Sequence, residues 1–514
     1  MSATAAAGAT PHPSSFPHLF TNSIIKSRHS ISVTRNSINP SSPNTPNPTW
    51  TASEIADAVN GRIVKWGPPG TVSTDTRTLQ PNQWFFAIAG LNFDAHDFIT
   101  PELSRNKGCA GVIGNRVCEN WDKGFVQFDG NTVISLTKMA SYARNRFHGE
   151  VVGVTGSVGK TSTKCMIALA LQNQSSRGLV LHVHQSHGNW NSEIGVALSL
   201  IGVPAGTGIV VLEMGMSGKG EILELARMAR PTIRVILNVG ASHFQNFSSL
   251  EEIGMAKGEI LAEAKPGDVC VLNADDPLVM NLPVPLGVKK VLFGHRVGCD
   301  VRLVASESTD GGLGVRVVLQ NHQEMVEFVI ASPGLHLSLN ACAAAAVATL
   351  LGVSLSEIGN RLSAFSPVHM RSELEVGRNG MKIVNDAYNA NPVSTKAAID
   401  LLESIDIDCG GKRIVVLGDM LELGAIELES HKMILKRCCC SAHIDLVGLV
   451  GRRFCAAAKN LNLLEDRNIV YALDSETFAQ EIVKRVSYND VVLVKGSRAM
   501  QMEKIVNAIK AMEC

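Results

Sequence analysis

The stretch GVTGSVGKTSTK, from Gly153 to Lys164, combines glycines, hydroxyl residues and a lysine as loops that bind phosphate do. The stretch departs from the Walker pattern G-x-x-x-x-G-K-[ST], because a valine stands where the first glycine belongs. Gly156 and Gly159 nevertheless let the backbone approach a phosphate group without a Cβ clash. Lys160 could reach the β- and γ-phosphates of a nucleotide, and the Thr161 hydroxyl could bind Mg²⁺. Nucleotide binding is therefore the chemistry that this stretch predicts.

The segments on either side of the loop indicate how it is held. VVGV (151–154) is typical of a short buried strand, and TSTKCMIALALQNQ after the loop is typical of a helix. The N-terminus of a helix offers an anion its free backbone N–H groups and the positive end of its dipole. Strand, glycines, Lys-Thr pair and helix agree with one another, which argues against a chance glycine-rich turn.

Three further side chains are candidates for chemistry near this loop. Glu213 follows the apolar strand GIVVL at the carboxyl end, where open α/β sheets bind ligands. Its carboxylate is a hard oxygen ligand, so magnesium binding is favoured over a solvated loop acid. His243, in NVGASHF, follows the next strand but would by itself be an ordinary loop histidine. Lys257 would by itself be a lysine on the surface of a helix.

The elements that must position these residues alternate between strand and helix along the whole ordered chain. Such alternation indicates parallel sheets with right-handed crossovers. A length of 514 residues suits about three domains. We predict an α/β fold with a small α/β domain at 51–149, a central parallel-sheet domain carrying the phosphate loop at 150–367, and a Rossmann-like domain at 368–514.

Local signals predict several element boundaries. The first helix is expected to begin after Thr51 or Ser53, and a second helix, SSLEEIGMAKGEILAEA, to begin with a capping box from Ser249 to Glu252. The stretch 285–330 has little periodicity and is expected to form short strands and turns.

The first fifty residues differ in composition from the rest of the chain. They contain no Asp or Glu, are rich in Ser, Thr, Pro and Asn, and have few apolar residues to bury, so disorder is expected. We interpret residues 1–50 as an organelle transit peptide, and many Ser with few Arg favour the plastid stroma over the mitochondrion. A disordered tail without a targeting role is the alternative.

Charge and cysteine content narrow the function classes. The formal net charge is zero and long Lys/Arg runs are absent from the sequence, so neither nucleic acid nor an anionic membrane is expected as a partner. The longest apolar run, Ala341 to Leu351, is too short to span a bilayer at about 20 residues. Twelve Cys without zinc-site spacing suit free thiols in a reducing compartment.

Taken together, a series of motifs resembles the Mur ligases between residues 51 and 512. In chain order they are TGSVGKT, LEMGMSGKGEI, NVGASHFQNFSSLEEIGMAKGEI, PGLHLSLNACAAAA, HMRSELE, NDAYNANPVS, GDMLELG and VKGSR. The family's ATP loop reads T-G-[ST]-x-G-K-[ST], so the valine at position 154 does not count against nucleotide binding. The resemblance implies an ATP- and Mg²⁺-dependent amide ligase of peptidoglycan precursor synthesis. Its substrates would be UDP-N-acetylmuramoyl-tripeptide and D-alanyl-D-alanine, joined through an acyl phosphate, and we expect a monomer.

The resemblance also implies roles for individual residues around ATP and the metal. The ATP phosphates would contact Gly156, Ser157, Val158, Gly159, Lys160, Thr161 and Ser162. The rest of the nucleotide would contact His336, Asn340 and Arg371. Magnesium would be held by Thr161, Glu213, His243 and Lys257, the last as a carbamate. Lys160, His243, Lys257 and Arg371 would be the catalytic residues.

The substrates are assigned in the same way. The first domain would bind the UDP group through Ser73, Thr74, Asp75, Thr76 and Arg77. Asn189 and Asn191 would contact the sugar-peptide. The third domain would bind the incoming dipeptide through Asp386, Tyr388, Asn389, Asn391, Lys495, Ser497 and Arg498.

Two other functions are compatible with parts of this pattern. A folylpolyglutamate synthase-like ligase shares the ATP-binding features, but residues 51–149 and the DAYNANP motif argue against it. The other is a plastid scaffold that has lost catalysis. Such a protein would not need Lys160, Glu213, His243 and Lys257, so the presence of these residues argues against it.

Overall fold

The computed structural model describes residues 49–512, apart from 91, 117–119, 173, 177–178, 323 and 378–380. The predicted transit peptide therefore lies almost wholly outside the described residues. The described part of the chain forms three β-sheets, each accompanied by helices. None of its helices is long and apolar enough to cross a bilayer.

The first sheet has five strands in the order β1-β5-β4-β3-β2. Only β1 is antiparallel to its neighbour. The first helix begins as predicted, because the Thr51 hydroxyl and the Glu54 carboxylate form a reciprocal capping box. The elements are α1 (Ala52–Val59), β1 (Arg62–Lys65), β2 (Thr71–Ser73), β3 (Gln83–Phe86), α2 (Pro101–Lys107), β4 (Gly111–Gly114), β5 (Gly124–Gln127) and α3 (Thr132–Arg146).

The second sheet has ten strands and carries the phosphate loop. Its elements are β6 (Glu150–Thr155), α4 (Lys160–Ala170), β7 (Gln174–Ser176), β8 (Leu179–Gln185), α5 (Glu193–Ile201), β9 (Thr207–Glu213), α6 (Glu221–Ala229), β10 (Ile233–Ile236), α7 (Leu250–Gly258), β11 (Val269–Asn273), α8 (Pro277–Met280), β12 (Lys289–Gly294), β13 (Val301–Thr309), β14 (Gly314–Gln320), β15 (Met325–Ile330), α9 (His336–Leu350) and α10 (Leu355–Leu362). The strand order is β15-β14-β13-β12-β11-β10-β6-β9-β8-β7. Across the sheet, the neighbouring strands β13, β12, β11, β10, β6, β9 and β8 run parallel. At the two edges the pairing is antiparallel, between β7 and β8 on one side and along β13, β14 and β15 on the other.

The third sheet has six strands in the order β16-β17-β21-β18-β19-β20. All neighbours are parallel except β16 and β17, as expected for a Rossmann-like unit with one added edge strand. The elements are β16 (Glu373–Val376), β17 (Lys382–Asp386), α11 (Pro392–Ser404), β18 (Arg413–Gly418), α12 (Glu427–Cys439), β19 (Leu446–Val450), α13 (Arg452–Asn460), β20 (Ile469–Ala472), α14 (Ser475–Ile482), β21 (Val491–Lys495) and α15 (Glu503–Lys510).

Two local predictions differ in part from the structure. The stretch 285–330 forms strands joined by turns as predicted, but its four strands are regular, six to nine residues long, and extend the central sheet. Alternate residues of β14, namely Val315, Val317 and Leu319, are buried in the core of that sheet. At the start of α7 the Ser249 hydroxyl accepts from the Glu252 N–H as predicted, but the Glu252 carboxylate accepts from the N–H of Ser248. The capping box is therefore only half formed.

Strand order places the candidate residues at one edge of the central sheet. β6 lies between β9 and β10, and all three strands are parallel. Val152 and Val154 of β6 are buried on one face and Val151 on the other, so the strand is fixed from both sides. Parallel strands end at the same edge, so the phosphate loop, the end of β9 and the loop after β10 meet there.

Candidate active site

The phosphate loop connects β6 to α4 and is held by a neighbouring loop. Oδ1 of Asn238 accepts hydrogen bonds from the backbone N–H groups of Ser157 (3.0 Å) and Val158 (2.9 Å). Gly159 has φ +84°, and a Cβ there would lie 2.5 Å from Oδ1 of Asn340. Glycine is therefore required both by the left-handed backbone and by the close approach of α9.

Lys160 begins α4 and points back over the loop. Its Nζ donates to the carbonyl oxygen of Gly156 at 2.8 Å. Burial lowers the pKa of Lys160, and the charge of Glu213 opposes this shift. The amine therefore lies against the backbone that would contact a phosphate, where an anion could replace the carbonyl as its partner.

Glu213 ends β9 with a buried carboxylate, only 1% exposed. Oε2 accepts from the Thr161 hydroxyl and Oε1 from the Asn191 amide, both at 2.8 Å. The described residues contain no group of three or more His, Cys, Asp or Glu side chains that could hold a metal. One carboxylate beside one hydroxyl nevertheless fits Mg²⁺, which is usually bound by one or two protein oxygens together with phosphates and waters.

His243 lies in the loop after β10, in the left-handed region at φ +54°. Its Nδ1 is 2.5 Å from Oε2 of Glu422, a contact that is close but not aligned as a hydrogen bond. Burial lowers the pKa of His243, and the Glu422 carboxylate opposes this shift. The contact joins the central domain to the loop after β18, because the N–H of Gln245 also donates to the carbonyl of Glu422 at 3.0 Å.

Lys257 is buried on α7, with 2% of its surface exposed, so the interpretation as a surface lysine is wrong. Burial holds the pKa of Lys257 well below its ordinary value, and the charge of Lys160 lowers it further. Burial therefore favours the neutral, nucleophilic form of this amine over the ammonium form.

The third domain contributes a second polar cluster. Nζ of Lys495 donates to Oδ2 of Asp386 (2.6 Å) and to the carbonyl of Asn389 (2.9 Å). The guanidinium of Arg371 lies 4.0 Å from the centre of the Tyr388 ring, as in a cation–π contact. The Asn189 amide donates to the Tyr388 hydroxyl, so this cluster directly contacts the loop after β8.

A cavity of about 420 Å³ lies between the two clusters. It brings together most of the predicted site residues, namely Ser157, Val158, Gly159, Lys160, Thr161, Ser162, Asn189, Asn191, Glu213, His243, Lys257, His336, Asn340, Arg371, Asp386, Tyr388, Asn389, Asn391 and Lys495. Ser192, Glu221, Ser242, Ser372 and Ser394 also line it and were not assigned from the sequence.

The other predicted site residues lie outside this cavity, and the roles of all predicted site residues, inside and outside it, stay predictions. Gly156 is buried behind the loop, where a Cβ would lie 2.9 Å from that of Leu237. Ser497 accepts a hydrogen bond from the Leu421 N–H, and Arg498 pairs with Glu503 at 2.9 Å. The UDP-binding candidates Ser73, Thr74, Asp75, Thr76 and Arg77 lie at and just after β2 of the first sheet, where Arg77 pairs with Asp75 at 2.7 Å.

Two positioning residues lie within the motifs that resemble the Mur ligases, but their roles were not predicted from the sequence. Asn238 in NVGASHF fixes the phosphate loop, and Glu422 in GDMLELG contacts His243. A polar side chain directly after an apolar strand was the available signal for Asn238. Glu422 acts across a domain boundary, and nothing in its own neighbourhood indicates its partner.

A phosphate loop that faces a Rossmann-like domain across a shared cavity defines a nucleotide-dependent enzyme, and comparisons identify its family. Residues 154–348 match the Mur ligase middle domain, and residues 370–498 match the Mur ligase glutamate ligase domain. The UDP-N-acetylmuramoyl-tripeptide–D-alanyl-D-alanine ligase of Bacillus subtilis (strain 168) is 35% identical over 468 residues, covering 89% of this chain and 97% of the relative. The protein of the same name from Escherichia coli (strain K12) is 30% identical over 466 residues, covering 90% and 98%. The chain belongs to the Mur ligase family.

Solved structures confirm the predicted three-domain α/β fold. MurF from Acinetobacter baumannii superposes with a TM-score of 0.78 at 25% identity, covering 91% of this chain and 100% of that one. The MurF ligase from Thermotoga maritima in complex with ADP has a TM-score of 0.71 at 29% identity, covering 86% and 97%. The residue boundaries proposed for the three domains stay predictions.

Proposed function

We propose that this protein joins D-alanyl-D-alanine to UDP-N-acetylmuramoyl-tripeptide, using ATP and releasing ADP and phosphate, in the synthesis of a peptidoglycan precursor. The observation that carries this proposal is the shared cavity, in which the phosphate loop and the Lys495–Asp386 cluster face each other. The two bacterial relatives carry the name of this activity and match over nearly their whole length.

The cavity suits activation of a carboxylate by phosphoryl transfer. The tripeptide carboxylate attacks the γ-phosphorus of ATP, the bond to the bridging oxygen breaks, and ADP leaves. Such transfer depends on positioning and on neutralising charge more than on covalent help from the protein. Lys160 and Arg371 both line the cavity and supply positive charge for this step.

Magnesium, when bound, would neutralise charge on the transferred phosphate. The Thr161 hydroxyl and the Glu213 carboxylate are the oxygen ligands that the structure offers it. We further propose that the Lys257 amine is carbamylated, since burial lowers its pKa and so favours the neutral form, which is the form that adds to carbon dioxide. The carbamate would add an anion beside Lys160.

The second half-reaction forms the amide bond. The free amine of D-alanyl-D-alanine attacks the acyl carbon, the tetrahedral intermediate collapses, and phosphate leaves. Asp386 and Asn389, on the third-domain side of the cavity, are placed to orient the incoming ammonium group. Enclosure between two domains would keep water from the acyl phosphate.

Purified protein is expected to release ADP and phosphate only when ATP, Mg²⁺, UDP-N-acetylmuramoyl-tripeptide and D-alanyl-D-alanine are all present. A coupled ADP assay with each component omitted in turn tests this, and mass spectrometry identifies the pentapeptide product. L-alanyl-L-alanine should be a poor acceptor, because inverting either centre moves a methyl group into space that the opposite isomer leaves empty. Preferred addition of glutamate to a folate would support the folylpolyglutamate synthase-like alternative, and no stimulation by any acceptor would support the scaffold.

For localisation, we propose import into plastids. Residues 1–50 fused to a fluorescent protein should direct it into the organelle, since the segment combines many Ser and Pro with an absence of Asp and Glu. Removing residues 1–48 from the full chain should leave ligase activity unchanged, and the deletion stops there because Trp50 is buried in the core and its indole N–H donates to the carbonyl of Ile201. Fluorescence that remains in the cytosol would contradict the proposal, and mitochondrial fluorescence would favour the alternative organelle.

A further inference from the structure

A second lysine, one helical turn beyond Lys160, has no part in the reaction described above. Lys164 is on α4 and is only 1% exposed. Its Nζ donates to two backbone carbonyl oxygens, that of Ser186 at 2.7 Å and that of Gly188 at 2.5 Å. Burial lowers the pKa of Lys164. Taking an amine out of water is costly unless acceptors replace the solvent, and here two carbonyls do so.

The two carbonyls belong to the turn that follows β8. Gly188 has φ +49°, and the N–H of Trp190 donates back to the carbonyl of His187 at 2.9 Å. The chain therefore turns here. The carbonyl oxygens of Ser186 and Gly188 both accept from the Lys164 amine. Ser186 is buried and Gly188 is exposed. Without that donor, the Ser186 carbonyl would be left without this partner inside the protein, and the Gly188 carbonyl would no longer be tied to α4.

The same turn carries side chains that reach both halves of the cavity. Asn191 donates to the Glu213 carboxylate at 2.8 Å, and the Ser186 hydroxyl accepts from the Glu213 N–H at 3.1 Å. Asn189 contacts Tyr388 of the third domain. Lys164 thus links α4, which begins at the phosphate loop, to a turn whose side chains contact Glu213 and the third-domain cluster.

We propose that Lys164 is a positioning residue that fixes the turn 186–191 for the sugar-peptide substrate. The inference rests on the proposed function, in which Asn189 and Asn191 contact that substrate. The ATP phosphates contact a different part of the same helix, so loss of Lys164 should leave nucleotide binding in place and impair use of the sugar-peptide.

The experiment compares Lys164→Met with Lys382→Met. Methionine keeps the length and burial of the side chain but has no N–H donor. Lys382 also directs its Nζ toward a backbone carbonyl, that of Asp406 at 3.5 Å, but lies in the third sheet outside the cavity lining. Lys164→Met should raise KM for UDP-N-acetylmuramoyl-tripeptide at least tenfold and lower kcat, with Kd for ATP within twofold of the unchanged protein. Lys382→Met should leave all three constants unchanged.

A rescue experiment separates the lost hydrogen bonds from simple loss of packing. Lys164→Ala removes the atoms that propylammonium would supply, so this amine should restore part of the activity. Propan-1-ol fills the same space with a single donor and should restore much less. Equal rescue by the alcohol would overturn the proposal, as would an equal loss of ATP and sugar-peptide binding in the methionine variant.

Hydrogen–deuterium exchange provides a readout that does not depend on the reaction. In Lys164→Met, the amides of Ser186 and Trp190, which donate to the carbonyls of Val211 and His187, should exchange at least tenfold faster, while those of β6 and β9 stay protected. If the protein proved to be inactive on every acceptor, this local change would still be expected, so failure of the proposed function and failure of this inference are distinguishable. Unchanged exchange in the turn would overturn the role of Lys164.

Discussion

Lys160→Ala is expected to lower ligation by about 10²–10³-fold or more while the protein remains folded. Removing one preorganised charge or donor at a developing anion costs ~3–4 kcal/mol of transition-state stabilisation. In the structure, the Lys160 amine already lies at the phosphate loop, held by the Gly156 carbonyl. It packs at the surface of the cavity, so its removal leaves the strands on both sides of the loop intact.

Steady-state turnover with all substrates present measures this effect, and circular dichroism checks the fold. Lys396→Ala is the matched control, because Lys396 is an exposed lysine on α11 that does not line the cavity. The Lys396→Ala control should have the turnover and the circular dichroism spectrum of the wild-type protein. Near-normal turnover of Lys160→Ala, with an unchanged spectrum, would remove this lysine from the mechanism.

The phosphate loop could be predicted from the sequence because its determinants are local. The glycines, the Lys-Thr pair and the flanking strand and helix lie within about twenty consecutive residues, and backbone geometry acts over that range. The start of α1 was predictable for the same reason, because the N-cap Thr51 and its partner Glu54 are three positions apart. Glu213 was predictable for a related reason, since the end of a buried parallel strand fixes where its side chain points.

Features that depend on distant parts of the chain were not predictable from local pattern. Lys257 has the flanking residues of a surface helix, and its burial follows only from the packing of α7 beside the phosphate loop. Glu422 reaches His243 from another domain. Lys164 is a further example, since a lysine in the first turns of a helix gives no sign that carbonyls of a later turn will surround it.

Lys257→Ala is expected to lose at least about 10²-fold in turnover, and formate or acetate should partly restore it. The expected loss is that of an anion that would help to hold Mg²⁺, which in turn would neutralise the transferred phosphate. Burial and the charge of Lys160 lower the pKa of the amine and so favour its neutral form, which is the form that adds to carbon dioxide. Carbamylation converts it to an anion, and this anion would be stabilised by Lys160. A small carboxylate can occupy the space left by the alanine variant and supply a similar charge.

Direct detection separates the carbamate from an unmodified lysine. With ¹³C-bicarbonate, the unchanged protein should show a carbamate carbon resonance that is absent from Lys257→Ala and present in the control Lys396→Ala. Full activity of Lys257→Ala without added carboxylate would show that this buried amine is dispensable. A loss of activity that no carboxylate restores, together with no carbamate signal in the unchanged protein, would instead mean that Lys257 acts as an amine. In that case the burial that lowers its pKa would favour an unmodified neutral amine rather than permit its modification.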